Sequence, residues 1–115
     1  MIDLNKVEVC IVSRKNYVSL RKWVSGSGYK VDRIFGNEDL LKHAGSKFNL
    51  ISKLQFEKPQ RESFFIDDMA CEFSSFNWSN INVTPLEAGW GYNDLSDNTT
   101  EILTIIEQKI SDIHN

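Results

Sequence analysis

A chain of 115 residues with 41% hydrophobic and 11% aromatic residues holds enough apolar material for one ordinary core and little more. Its formal net charge of -3 and pI of about 5.3 argue against a nucleic-acid partner, because phosphate-backbone binding draws on clustered Lys and Arg. No run approaches the length of a membrane span, and Met1-Ile2-Asp3-Leu4-Asn5 carries an early acid in place of an apolar leader, so neither a membrane partner nor export is expected.

In chain order, Val7-Glu8-Val9-Cys10-Ile11-Val12-Ser13 is β-rich and predicts a strand that ends on a hydroxyl. Tyr17, Leu20 and Val24 recur at helical spacing and predict a helix over 16–25, stopped by Gly26 and Gly28. Overlapping its start, the basic stretch from Arg14 to Lys22 is interrupted by apolar residues and predicts a solvated helix face. A short strand follows over 31–35 and closes at Gly36-Asn37. Glu38 to Ala44 predicts a brief helix broken by Gly45, and Ser46 is a good N-cap for a second helix over 47–54. Ser63-Phe64-Phe65-Ile66 reads as an apolar strand that stops at Asp67-Asp68. A weak helix is expected over 70–78 and a last short strand between Asn82 and Gly91. Asn98 and Glu101 have capping-box spacing before a closing helix striped with Ile102, Ile105, Ile106, Ile110 and Ile113.

Strands alternating with helices predict a mainly parallel α/β sheet covered on both faces, in one domain over 1–115 without a separate cap domain. Cys10 and Cys71 form no CxxC pair, and Cys10 in its apolar run predicts a buried free thiol in a reducing, cytoplasmic setting. A core this small also makes a homodimer, or another protein partner, an expectation. Trp23 and Trp78 are expected to pack on the sheet, whereas Trp90 between two glycines offers either a pocket lining or a subunit contact. His43 has no partner at ligand spacing and reads as a surface histidine.

Ligands of open α/β sheets bind beyond the carboxyl ends of the strands. Ser13, Asp67 and Asp68 fall on that edge from the pattern, as does Lys47 at a helix start. A hydroxyl and an ammonium suit a phosphate, and paired carboxylates suit Mg2+, a hard cation that prefers oxygen.

The order of these features resembles the haloacid-dehalogenase-type (HAD-like) hydrolase superfamily. The resemblance rests on Val9-Cys10-Ile11-Val12-Ser13, Val31-Asp32-Arg33-Ile34-Phe35-Gly36, Ser46-Lys47-Phe48-Asn49-Leu50-Ile51, Phe64-Phe65-Ile66-Asp67-Asp68 and Ala88-Gly89-Trp90-Gly91-Tyr92. It spans about Val7 to Asn93 and implies a three-layer Rossmann-like sheet. It also implies that Ser13 and Lys47 bind the phosphate of a small molecule while Asp67 and Asp68 bind Mg2+. The family's reaction passes through an aspartyl intermediate, on an Asp-x-Asp motif that ends a preceding strand. Only six residues precede Val7, Asp3-Leu4-Asn5 is the nearest imitation, and no Asp-x-Asp occurs in the 115 residues. The expected function is therefore non-catalytic binding or regulation with a partial phosphate and Mg2+ site. The alternatives are a phosphatase-type hydrolase completed by a partner chain that supplies the nucleophile, and a receiver-like signalling domain, whose Ser, Lys and paired acids come in a different order.

Overall fold

Parallel strands cannot be joined by a tight turn, so each return needs a crossover, and the short β-rich runs of this sequence are separated by helical ones. A computed structural model of the chain describes residues 7–69, 71–89 and 98–114. Among them the fold is mixed α/β, with two short parallel two-stranded sheets and five α-helices. The chain divides into two compact units, residues 1–50 and 51–115.

In the first unit β1 (Cys10–Val12) pairs in parallel with β2 (Arg33–Phe35), in the register Cys10↔Arg33 to Val12↔Phe35. The crossover is α1 (Tyr17–Ser27). The Asn16 side chain caps it by accepting the Ser19 N–H at 2.8 Å, and Gly28 ends it at φ 76°, a left-handed conformation that glycine adopts without strain. After β2 comes α2 (Asn37–Leu41), and α3 (Lys47–Glu57) begins here and continues into the second unit. Gly36 is required by crowding rather than by its dihedrals. A Cβ there would lie 2.7 Å from the Tyr17 nitrogen and 2.9 Å from the Lys15 oxygen. Leu20, Leu40 and Leu50 are the buried apolar residues of this unit.

In the second unit β3 (Ser63–Asp67) pairs in parallel with β4 (Val83–Glu87), from Ser63↔Val83 to Asp67↔Glu87. Between them lie the single-turn α4 (Cys71–Ser74) and a 3-10 turn over Trp78–Ile81, and α5 (Thr99–His114) closes the chain. Strand alternation assigns the two faces of this sheet. Phe64, Leu86 and Ala88 share one face and pack with Ile102 and Ile106 of α5. Phe65 takes the other face, stacked on Trp78 with ring centroids 4.6 Å apart and tilted against Phe73 at 5.6 Å. Pro85 sits at the middle of β4. The Ala88 N–H donates to the Asp67 carbonyl at 2.8 Å, which sets the alternation along β4. Residues 84, 86 and 88 turn their amides toward β3, so the proline nitrogen falls on the outer side, where no donor is needed.

Three expectations change. The helix over 70–78 is one α turn followed by the 3-10 turn, because Ser74, Ser75 and Asn77 favour turns and the Trp78 indole N–H is spent on the Glu72 carbonyl at 2.7 Å. Trp78 does pack against β3, but Trp23 is 57% exposed. Leu20 and Val24 form the inward stripe of α1, and Trp23 falls to one side of it. Cys10 is exposed rather than buried, since its strand belongs to a sheet of only two. Asn98 precedes α5 as expected, with the Ile102 N–H bonded to its carbonyl at 3.0 Å. No described helix is long and apolar enough to cross a membrane.

Neighbouring leucines of α2 provide a check on this core. Leu40 is 0% exposed and Leu41 67%. Leu40→Ala is expected to lower unfolding free energy by about 2–5 kcal/mol and Leu41→Ala by at most about 0.5 kcal/mol. Urea denaturation of the two variants measures the difference, and equal losses would contradict the assigned helix face.

Candidate functional site

At the carboxyl end of β1, Ser13 donates its backbone N–H to the Phe35 carbonyl at 3.0 Å, and its Oγ accepts the Lys15 N–H at 3.2 Å. The hydroxyl thus closes the turn into α1 and keeps its own proton to give. The surrounding loops interlock. The Asn37 N–H reaches the Lys15 carbonyl at 2.8 Å, and Arg14 Nη1 donates to the Gly45 carbonyl at 2.8 Å. The Tyr17 N–H at the start of α1 donates to Glu38 Oε2 at 2.8 Å. A helix N-terminus attracts an anion, and here the chain supplies one of its own. Glu38 is a residue that the sequence reading passed over, because it is brought to α1 only by the pairing of β2 with β1.

Lys47 is the first residue of α3, as expected from Ser46, whose Oγ accepts the Asn49 N–H at 3.1 Å. The lysine is only 9% exposed and interacts within the chain. A lysine this little exposed packs its side chain against the chain, so its charge is positioned rather than free in solvent.

The opposite end of this sheet is tied by Asp32. Its Oδ2 accepts both the Val9 N–H at 2.7 Å and Lys30 Nζ at 2.6 Å. The Lys30 hydrogen bond, then that from Val9, holds the Asp32 carboxyl below its ordinary value. Cys10 moves the other way, its thiol pushed up to about 11. Partial withdrawal of the sulfur from water is the main cause, although the residue as a whole is exposed, and the hydrogen bond to Glu8 adds to it. Such a thiol is a poor nucleophile near neutral pH, so Cys10 is not a catalytic candidate.

In the second unit Asp67 is the last residue of β3 and Asp68 enters the following bend, both half-buried. Asp67 Oδ1 accepts the Met69 N–H at 2.8 Å. Glu87 stands opposite Asp67 in the ladder, so two carboxyl residues end two adjacent parallel strands and Asp68 follows directly. Glu87 is a further residue the sequence did not single out; the parallel register aligns it. Among the described residues no three His, Cys, Asp or Glu side chains form a group able to hold a metal ion. Of the sequence candidates, then, Ser13 and Lys47 belong to the first unit, and Asp67 and Asp68 to the second.

Beyond β4 the chain is braced by Asn98. Its Nδ2 donates to the Glu87 carbonyl at 2.8 Å and its Oδ1 accepts the Gly89 N–H at 2.7 Å. The amide therefore pairs with the outer edge of β4 as a strand residue would, next to the donorless Pro85. Trp90, the rest of the Ala88–Tyr92 motif beyond Gly89, and Asp3-Leu4-Asn5 lie outside the described residues. A separate cleft of about 270 Å³ is lined by Ser52, Gln55, Phe56, Asn80 and Asn82, among others. Its lining carries no charged group, which sets it apart from a phosphate or metal site. Gln55 is structural there, donating to the Arg61 carbonyl at 2.9 Å and accepting from the Ser63 hydroxyl.

Asn98→Ala removes both bonds to β4 and is expected to cost about 1–3 kcal/mol of stability. It should also speed hydrogen exchange at the Gly89 amide; unchanged exchange there would show that the brace is dispensable. Comparison with protein-family models, curated proteins and solved structures found no match, so the reading of this site rests on its own geometry.

Proposed function

We propose that the chain is a HAD-like binding or regulatory module that takes Mg2+ at the end of β3 and a phosphorylated small molecule through Ser13 and Lys47, without turning it over. The observation that carries this reading is the in-register placement of Asp67 and Glu87 at the carboxyl ends of parallel strands, with Asp68 next in the chain. Parallel carboxylates at a strand edge repel one another, and a hard dication with oxygen ligands relieves the repulsion. A pair of carboxylates leaves most of the coordination sphere of Mg2+ to water, so binding is weak, on the order of millimolar. The Ser13 hydroxyl has a proton to donate to a phosphoryl oxygen, and buried Lys47 supplies a fixed positive charge. Covalent phosphoryl transfer needs a carboxylate nucleophile, and the 115 residues contain no Asp-x-Asp to provide it in the family's manner.

Calorimetric titration with MgCl2 is expected to give a Kd on the order of 1 mM for the natural chain. The double variant Asp67→Asn, Asp68→Asn should bind at least tenfold more weakly; equal binding would remove the metal from this reading. The purified chain is further expected not to hydrolyse a generic aryl phosphate above background. Turnover that disappears in Lys47→Ala would overturn the non-catalytic assignment and favour a hydrolase.

A further inference from the structure

The uncharged cleft of about 270 Å³ is assembled from three short stretches of the second unit. Ser52, Gln55 and Phe56 lie on one face of α3, since helix positions three and four apart are neighbours. Pro59 follows in the turn after the helix, and Asn80, Ile81 and Asn82 complete the lining. Two of these residues gain little from folding alone. Phe56 is 85% exposed and adds an open aromatic surface to the cleft. Ser52 Oγ is buried yet makes no hydrogen bond with any described residue, so a hydroxyl has given up water without a replacement. The walls are fixed. The Gln55 amide is held by the Arg61 carbonyl and the Ser63 hydroxyl. Asn82 is set at φ 57°, a left-handed conformation that asparagine tolerates, with its N–H on the Ser79 carbonyl at 3.2 Å.

A ligand for such a cleft is uncharged, because no lining side chain neutralises a phosphate or a carboxylate. It offers a flat apolar face to Phe56, Pro59 and Ile81, and an edge of donors and acceptors to the amides and the Ser52 hydroxyl. A nucleobase has both. Every base has a π-face that stacks on an aromatic ring, and its edge pairs with amide side chains. A cyclic polyol spreads hydroxyls around its whole rim and has no such face for the three apolar residues. The volume falls just below the roughly 300 Å³ at which pockets for drug-sized ligands begin, which suits one or two fused rings. We propose that this cleft binds a free nucleobase or nucleoside, its base stacked on Phe56 and its polar edge read by Asn80, Asn82 and Ser52. The cleft shares no residue with Ser13, Lys47, Asp67 or Asp68, so this inference does not rest on the phosphate and Mg2+ reading.

Nuclear magnetic resonance titration of the isotope-labelled chain with adenosine and with uridine tests this. At least one nucleoside should shift the side-chain amides of Gln55, Asn80 and Asn82 and the backbone amide of Ser52. Saturation is expected with a Kd on the order of 1 mM, in keeping with a base of about ten non-hydrogen atoms. Phe56→Ala should weaken binding about tenfold or more through loss of the stacking ring. Phe56 is exposed, so the circular dichroism of that variant should not change. Ser52→Ala should weaken binding about threefold or more while leaving unfolding free energy equal or higher, because it deletes a buried hydroxyl without a partner. The absence of shifts with either nucleoside up to about 10 mM overturns the proposal. Binding that Phe56→Ala leaves unaltered also overturns it, and so do equal shifts with glucose, which would make the cleft a polyol site.

Discussion

A parallel pair of strands exposes two pleated faces, and it persists only when both are covered. In the second unit that requirement organises everything else. Phe64 and Phe65 are consecutive, so the pleat sends one to α5 and the other to Trp78. Each buried aromatic contributes about 1.5–3 kcal/mol through area removed from water, and the stacked pair about 0.5–1.5 kcal/mol more. The indole hydrogen bond to the Glu72 carbonyl then spares Trp78 an unsatisfied donor. With β3 held on both faces, β4 has one register, and Asp67 and Glu87 are forced to its end together.

The two carboxyl edges solve different electrostatic problems. In the first unit the strand ends are closed from within: Glu38 answers the amide at the start of α1, and Ser13 binds its own turn. Lys47 is kept from solvent at the head of α3. In the second unit the edge carries an excess of carboxylates, and its outer boundary is sealed by Pro85 and the Asn98 amide. Natural sheets blunt exposed edges with such devices. The β3–β4 register thus fixes where the acids stand.

Most of the element order was legible. The strands over 7–13 and 31–35 contain β1 and β2, that over 63–66 covers all of β3 but its last residue, and the helices opened by Asn16 and Ser46 start where their caps require. These are local signals that need no partner to act. The 70–78 stretch failed because its residues are decided by Phe65, eight positions before Phe73 and thirteen before Trp78. Trp23 failed because hydrophobicity alone does not say which residue of a helix turns inward when the covering layer is thin. Ser13 just beyond β1, Lys47 at the head of α3 and Asp67-Asp68 at the end of β3 stand at the element ends expected for them, since strand ends and helix starts can be read from pattern.

What the sequence determined by itself was therefore the alternation, the caps, and the residues that stand at element ends, because each follows from neighbours within a few positions. What tertiary structure decided was which of those ends gain company. Glu38 reaches α1 only through β1–β2 pairing, Glu87 faces Asp67 only through the β3–β4 register, and Asn98 leaves its helix to bind a strand edge. Each joins residues that lie nine to twenty-one positions apart, a separation at which local propensity is silent and only the packing of strands chooses the partner.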